Sequence, residues 1–192
     1  MMKILIKLNE EDKAINISNT DSIPDEVLKV APWLKNTEIK NASVLIDGDK
    51  IKWESGIFSL GIWENGIWEN GIFADGTWKD GIFKNGIWKK GVWEDGTFET
   101  ESFWESGSFN GGSFKGIWES GYFDGGIFDG GLWLNGTWKS GTWKDGIWKT
   151  GKIYSSKFDK LFQSYISPNE FKKLEEKSGS SVNLIAALEE TI

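Results

Sequence analysis

Residues 53–73 read WESGIFSLGIWENGIWENGIF, and this stretch decides the fold. It repeats a unit of five residues, Gly-(Ile/Thr)-(Trp/Phe)-x-x, whose aromatic residue is taken here as the centre of the pentad. Centres recur at 22 positions within 53–158; 12 of them are Trp, 9 are Phe and one is Ile153. A repeat sustained over so many units determines the architecture of the chain.

Glycine occupies the position two before the centre in 19 of the 22 pentads. Because protein interiors are packed to crystal density, a large indole needs space from a small neighbour. We therefore expect each glycine to make room for an inward-pointing aromatic ring. The spacing slips once to six residues, before Trp104, and once to four, before Trp118, so that the original phase returns; Phe103 is the local irregularity.

A period of five fits neither one long helix nor one long strand. One β architecture that can use it is a meander, in which pairs such as Asn65-Gly66 and Asp75-Gly76 form hairpin turns between short strands. The other is a β-solenoid, in which each pentad forms one side of a coil, with the aromatic residue inside and the residues at centre −1, +1 and +2 outside.

The charges at centre +1 distinguish these two architectures. Neighbouring pentads carry mostly like charges, as at Lys79, Lys84 and Lys89, and the sign usually reverses three or four pentads away, as between Glu64 and Lys84. Directly opposed like charges destabilise paired strands, so strands that pair should carry opposite signs. The sequence therefore predicts a solenoid with three or four pentads per coil.

The pentads also resemble a known family. A small residue two before a large apolar centre, repeated every five residues over 53–158, is similar to the pentapeptide-repeat family, whose members form right-handed, four-sided β-helices. The resemblance implies about four pentads per coil and hence a mainly β fold. This chain departs from the family at three positions of the pentad. The centre is Trp or Phe where the family usually has Leu or Phe, and the residue two before it is Gly where the family has Ala. Ile or Thr stands where the family prefers Asp or Asn. Tryptophan-rich pentads of this kind resemble uncharacterised bacteriophage proteins.

The flanks are predicted to close the ends of the solenoid, since an open coil exposes an edge that invites pairing. We expect an N-terminal cap over 1–50, with a strand at 3–8 and a short helix at 24–29, and the solenoid over 51–158. A C-terminal helical segment over 159–192 would follow. It comprises a helical pattern starting at 158–162, a helix opened by the capping box at 167–170 and running through Lys177, and a last helix capped by Ser181. Whether these helices cap the solenoid or dock on a partner stays open.

Composition excludes several kinds of chemistry. The chain has no Cys and no His, which removes ordinary zinc sites and Ser-His or Cys-His catalysis. The carboxylates recur with the pentad and are expected on a solvated surface. The sequence thus predicts no catalytic residue, no cofactor and no metal ligand, and a protein that is not an enzyme.

Charge and hydropathy bear on nucleic-acid binding, membrane association and location. The net charge is −7 and the pI is about 4.8, so we expect no direct binding to a nucleic-acid backbone. No apolar run in the sequence approaches the length of a spanning helix, and the first residues lack a signal-peptide cleavage site. These features predict no membrane association and a location in the cytoplasm or in a virus particle.

The residues at centre −1 carry the functional prediction, because they face outward if the aromatic rings face inward. Most of them are Ile, Val, Leu or Thr, and exposed apolar strips mark protein interfaces. At four pentads per coil they sort into columns. One column reads Ile67, Ile87, Ser108, Ile127 and Ile147, and the next reads Ile62, Ile82, Phe103, Tyr122 and Thr142. The candidate protein-binding residues are Ile62, Ile67, Ile82, Ile87, Phe103, Tyr122, Ile127 and Ile147.

The resulting expectation is a non-enzymatic structural or adaptor protein that contacts a protein partner or forms a homo-oligomer. A phage structural or host-interaction protein is the expected setting. Two alternatives belong to other classes: a DNA mimic that inhibits a nucleic-acid enzyme, and a carbohydrate-binding protein with exposed rows of tryptophan.

Overall fold

The computed structural model describes residues 14–192, and these form a β-solenoid of about seven turns. Parallel pairing joins each pentad to the one three pentads later, as between Trp53 and Trp68 and between Phe58 and Phe73. One coil therefore has three pentads and three sides. The predicted solenoid is confirmed, whereas the expected four pentads per coil is wrong.

The aromatic rings explain the three-sided cross-section. In the first coil, Trp53, Phe58 and Trp63 contact one another edge to face, with ring centroids 6.2–6.3 Å apart. Each ring presents its positive edge to the negative face of a neighbour, which is a favoured aromatic geometry. One ring from each side, in contact with the other two, thus fills the interior of a three-sided coil.

Each side of the coil forms a flat face, and two sheets cover the three faces. The charged face carries the pentads centred on Trp53 and Trp68, and the apolar face those centred on Phe58 and Phe73. The third face carries those centred on Trp63 and Trp78. Strands β8 (Ile82–Trp88), β10 (Thr97–Trp104), β15 (Ile127–Trp133) and β17 (Thr142–Trp148) run along the charged face and round a corner onto the apolar face, and β3 (Lys50–Leu60) does the same in the first coil. The strands are β1 (Ile15–Asn19), β2 (Glu38–Asp47), β3 (Lys50–Leu60), β4 (Ile62–Trp63), β5 (Ile67–Trp68), β6 (Ile72–Phe73), β7 (Thr77–Trp78), β8 (Ile82–Trp88), β9 (Val92–Trp93), β10 (Thr97–Trp104), β11 (Ser108–Phe109), β12 (Ser113–Phe114), β13 (Ile117–Trp118), β14 (Tyr122–Phe123), β15 (Ile127–Trp133), β16 (Thr137–Trp138), β17 (Thr142–Trp148), β18 (Gly151–Ser155) and β19 (Lys160–Ser164).

Three stacks of aromatic rings fill the solenoid, one behind each face. Rings in neighbouring coils lie nearly parallel, with centroids 4.2–5.7 Å apart. The stack behind the charged face is Trp53, Trp68, Phe83, Phe98, Phe114, Phe128 and Trp143. Behind the apolar face lie Phe58, Phe73, Trp88, Trp104, Trp118, Trp133 and Trp148. Behind the third face lie Trp63, Trp78, Trp93, Phe109, Phe123 and Trp138, followed by Ile153.

Backbone hydrogen bonds join successive coils at two points in each pentad. The amide of Ile87 donates to the Gly71 carbonyl at 2.9 Å, and the amide of Lys89 donates to the Phe73 carbonyl at 2.8 Å. Gly86 has φ +109°, and a Cβ there would meet the backbone of Gly71 in the coil before it. The glycines therefore serve backbone conformation and close contact between coils. Several also leave room for a ring, as expected: a Cβ at Gly66 would lie 3.1 Å from Cζ2 of Trp63.

The corner residues before the glycines do not form hairpin turns. The Asn70 side chain accepts a hydrogen bond from the Gly71 amide at 2.7 Å, and Asp80 does the same for Gly81 at 2.6 Å. These Asn-Gly and Asp-Gly pairs turn the chain from one face to the next, and the meander is thereby excluded. The six-residue slip is absorbed as a register shift between Phe98 and Glu101 in β10.

An N-terminal layer covers the first coil. Strand β2 pairs antiparallel with β3, and β1 pairs antiparallel with β2. The predicted short helix is present as α1 (Asp25–Val30), between 3₁₀ turns at Thr20–Ser22 and Pro32–Asn36. Trp33 in the second turn packs edge to face on Trp63, with centroids 4.9 Å apart. The strand expected at 3–8 lies outside the described residues.

The C-terminal end is closed by a strand and two helices. The helical pattern expected at 158–162 is wrong: Lys160–Ser164 is strand β19, antiparallel to β18, after a turn at 156–159 that contains Phe158. Pairing with β18 covers the free edge of that strand with backbone hydrogen bonds.

The two helices pack on this end. Helix α2 (Pro168–Lys177) opens with the predicted capping box, and its Asn169 side chain donates to the Trp143 carbonyl at 2.9 Å. Helix α3 (Ser181–Glu189) follows, with Ser180 as its cap instead of the expected Ser181.

Candidate interaction face

The three faces differ in the residues that point outward at centre −1. On the apolar face every member of this column is apolar, and the parallel ladder holds the members in register from coil to coil. The column is Ile57, Ile72, Ile87, Phe103, Ile117, Leu132 and Ile147. The same column contains Lys52 and Thr97 on the charged face, and Thr77 and Lys152 on the third face. The apolar face is therefore the one described face with an unbroken apolar column.

The rings behind the apolar face stack in parallel from coil to coil. Successive rings in this stack lie within 4–9° of parallel. Most members of the outward column are half-buried between their neighbours in the coils above and below. Ile117 and Ile147 remain 38% and 58% exposed. A contiguous apolar strip of this kind is the surface that a protein partner buries.

The neighbouring column at centre +1 of the apolar face combines small, apolar and charged residues. It reads Ser59, Ala74, Lys89, Glu105, Glu119, Leu134 and Lys149. Among residues 14–192, no salt bridge involves a member of this column. Its charges are therefore free to meet charges of a partner.

The charged face satisfies its own charges. Its column at centre +1 alternates in sign from the second member onward, with Glu54, Glu69, Lys84, Glu99, Lys115, Asp129 and Lys144. Lys84 contacts Glu69 at 2.8 Å and Lys144 contacts Asp129 at 2.8 Å, each pair three pentads apart. The third face has similar pairs, Lys79 with Glu64 at 3.0 Å and Lys139 with Asp124 at 2.9 Å. Opposite charges thus stack from coil to coil, as the sign reversal in the sequence predicts for a coil of three pentads.

Glu69 is the most strongly coupled of these carboxylates. Partial burial acts to raise its pKa, but hydrogen bonds from Lys84 and Lys52 outweigh burial, so the net pKa lies below the ordinary value. A lowered pKa in the folded state stabilises the fold above the unfolded pKa, and this contribution is lost as the pH falls through the folded pKa.

We expect Glu69→Gln to lower the free energy of unfolding at pH 7 by about 0.5–1 kcal/mol, because the ion pairs are partly exposed. The difference from the parent should shrink as the pH falls below about 4.5, the ordinary pKa of a Glu side chain. Urea unfolding at pH 7 and pH 3 measures both. Glu94→Gln, on the third face, is the control and should change stability by less than about 0.5 kcal/mol; an equal loss in both variants would contradict the role given to Glu69.

The candidate binding residues from the sequence lie on all three faces. Ile87, Phe103 and Ile147 belong to the apolar face, Ile67, Ile82 and Ile127 to the charged face, and Ile62 and Tyr122 to the third face. The structure thus brings together three of the eight, and the columns drawn at four pentads per coil are wrong. Sorting at three pentads per coil would have found the four that were missed, Ile57, Ile72, Ile117 and Leu132, since every third pentad along this line is apolar at centre −1.

The tryptophans of the pentads lie inside the solenoid. All except Trp148 are at most 6% exposed, and Trp148, in the last coil, is half-buried. Several indoles donate to backbone carbonyls of a neighbouring coil, as Trp88 does to Ser106 at 3.0 Å and Trp104 to Ser120 at 3.1 Å. The described solenoid therefore carries no exposed row of tryptophan, which is the arrangement that sugar stacking would require.

Other features of residues 14–192 offer little chemistry. A cavity of about 330 Å³ lies between β19 and α3, lined by residues that include Leu161, Tyr165 and Ile185. No cluster of three or more acidic groups with metal-binding geometry occurs in this part of the chain. No helix within it is long and apolar enough to cross a bilayer.

Comparison with known proteins gives no relative. No protein-family model, no curated protein and no solved structure matches this chain.

Proposed function

We propose that this protein is a non-enzymatic structural or adaptor protein that acts through protein contacts on the apolar face. The observation that carries the proposal is the unbroken outward column from Ile57 to Ile147, which parallel pairing holds in register from coil to coil. Contiguous apolar surface exposed to water is costly unless a partner covers it. A phage particle or a phage–host contact is the proposed setting, and it rests on the resemblance of the tryptophan-rich pentads alone.

The stacked interior makes this face suitable for binding. Each outward residue lies on a strand held by two backbone hydrogen bonds per pentad and backed by a buried ring. A surface that is already ordered loses little conformational entropy when it binds, so more of the contact energy appears as affinity. The other two faces are less suited, because most of their charges at centre +1 are already paired within the chain.

Site-specific photocrosslinking tests this proposal. A benzoylphenylalanine placed at Leu132 on the apolar face should crosslink to a protein in the cells that express the chain naturally. The matched probe at Thr137 on the third face, one pentad later and also half-buried, should crosslink much less. Mass spectrometry identifies the product. Equal labelling from the two positions, or none from Leu132, would remove the apolar face from the function.

A further inference from the structure

We propose that the apolar face binds the same face of a second copy of this chain, with the two rods antiparallel. The two-fold axis of this dimer would lie in the interface, parallel to the strands, at the level of the coil that contains Phe103. The inference rests on the proposed function and names the partner. Two-fold interfaces of this kind are self-complementary: a residue that contacts a second residue is contacted by that residue's copy.

The outward column reads equally well in both directions. It has seven members with Phe103 in the middle, and the coil spacing is the same in both copies. Reversal places Ile57 opposite Ile147, Ile72 opposite Leu132, Ile87 opposite Ile117, and Phe103 opposite itself. Every pair is apolar, so this register lets the two columns bury their full length against each other.

The charges at centre +1 decide the orientation. A two-fold axis parallel to the strands sets this column against its own copy in reverse order. Ala74 then lies opposite Leu134, and Lys89 lies opposite Glu119, which places two small apolar contacts and two charge pairs in each dimer. With parallel rods, the axis would run along the solenoid and set Lys89 against the apolar column of the partner. Antiparallel rods are therefore favoured by charge complementarity.

One contact opposes the dimer. Glu105 lies in the middle coil, so in this register it faces its own copy across the axis. Like charges at such a short distance lower the affinity of the dimer. The repulsion is also a specific prediction of this register, since only a dimer centred on this coil brings the two Glu105 side chains together.

The area agrees with a dimer that depends on concentration. Seven coils at about 4.8 Å give a strip about 34 Å long, and a width of about 15 Å gives roughly 500 Å² for each copy. The sum over both copies, about 1,000 Å², is at the lower limit for specific protein interfaces. We therefore expect monomer and dimer to exchange, with the fraction of dimer rising with protein concentration.

Two matched lysine variants test the face. Ile117 on the apolar face and Ile82 on the charged face are 38% and 37% exposed and occupy the same pentad position. Sedimentation equilibrium of the purified full chain should show a reversible dimer. Ile117→Lys should raise the dissociation constant about a hundredfold, because it buries a charge against Ile87 of the partner, whereas Ile82→Lys should change it less than about threefold. Circular dichroism confirms that both variants are folded. A monomeric parent protein at all concentrations, or equal effects of the two lysines, would overturn the proposal.

Charge reversal tests the orientation. Lys89→Glu and Glu119→Lys should each weaken the dimer about tenfold, and the double variant should restore the parent affinity, because each copy then again meets an opposite charge. Glu105→Gln should tighten the dimer severalfold by removing the repulsion at the axis. A dimer without rescue and without tightening would contradict the antiparallel register.

The two proposals fail separately. If the purified chain stays monomeric while the probe at Leu132 crosslinks a different protein in cells, the inferred dimer is wrong and the proposed function stands. If the probe at Leu132 labels nothing and the chain is monomeric, both are wrong.

Discussion

Replacing Trp88 with alanine is expected to lower the free energy of unfolding by about 3–5 kcal/mol, the range for loss of a large buried aromatic side chain. The indole is fully buried and stacks between Phe73 and Trp104, at centroid distances of 4.2 and 4.8 Å. It also donates to the Ser106 carbonyl, which would lose its partner. Chemical denaturation followed by circular dichroism measures the loss.

Trp88→Phe is the matched variant for this prediction. Phenylalanine occupies equivalent stacked positions elsewhere in the solenoid, as at Phe83 and Phe98. The variant keeps the stacking and loses only volume and one hydrogen bond, so we expect a cost of about 1–2 kcal/mol. If Trp88→Ala were as stable as the parent protein, the inward position of the aromatic rings would be wrong.

The inward aromatic register could be predicted from sequence because it depends on local regularity. A large residue at every fifth position, with glycine two before it, leaves one arrangement in which all large side chains share an interior. The structure confirms this for the pentads from Trp53 to Trp148. The C-terminal helix that starts at Pro168 could be predicted for the same reason, since its capping box is a local signal.

The number of sides could not be predicted as firmly, because it depends on contacts between coils. The sign of the charges at centre +1 reverses at both three and four pentads, and the family resemblance favoured four. The deciding contacts are long-range, as between Lys84 and Glu69 in adjacent coils. This choice also separated the candidate residues: Ile87 and Ile67 lie in one column at four pentads per coil, but on different faces at three.

Strand β19 shows a tertiary contact that overrides a local pattern. Residues 158–162 have apolar spacing that suits a helix, yet Phe162 is buried and Leu161 is exposed, which is the alternation of a strand. Five residue pairs, from Gly151 with Ser164 to Ser155 with Lys160, close the edge of the last coil. Nothing in the segment alone indicates that an edge is available to it.

Gly86→Ala is expected to cost several kcal/mol, on the order of 5, although it adds a single methyl group. Gly86 has φ +109°, a conformation that L-residues rarely adopt, and its Cβ would lie 2.8 Å from the Gly71 nitrogen and still closer to the Gly71 carbonyl oxygen. That carbonyl accepts the hydrogen bond from Ile87. The methyl group therefore pushes apart the two coils at the point where they are joined, and neither backbone can move without breaking this bond.

Gly130→Ala separates strain from collision. Gly130 has φ +115°, similar to Gly86, but a Cβ there meets no atom within 4 Å. This variant should show only the conformational cost of a side chain at positive φ, about 1–3 kcal/mol. The excess loss in Gly86→Ala then measures the contact between coils. Equal losses at the two positions would mean that glycine is needed for backbone conformation alone, and that the coils can separate enough to accept a methyl group.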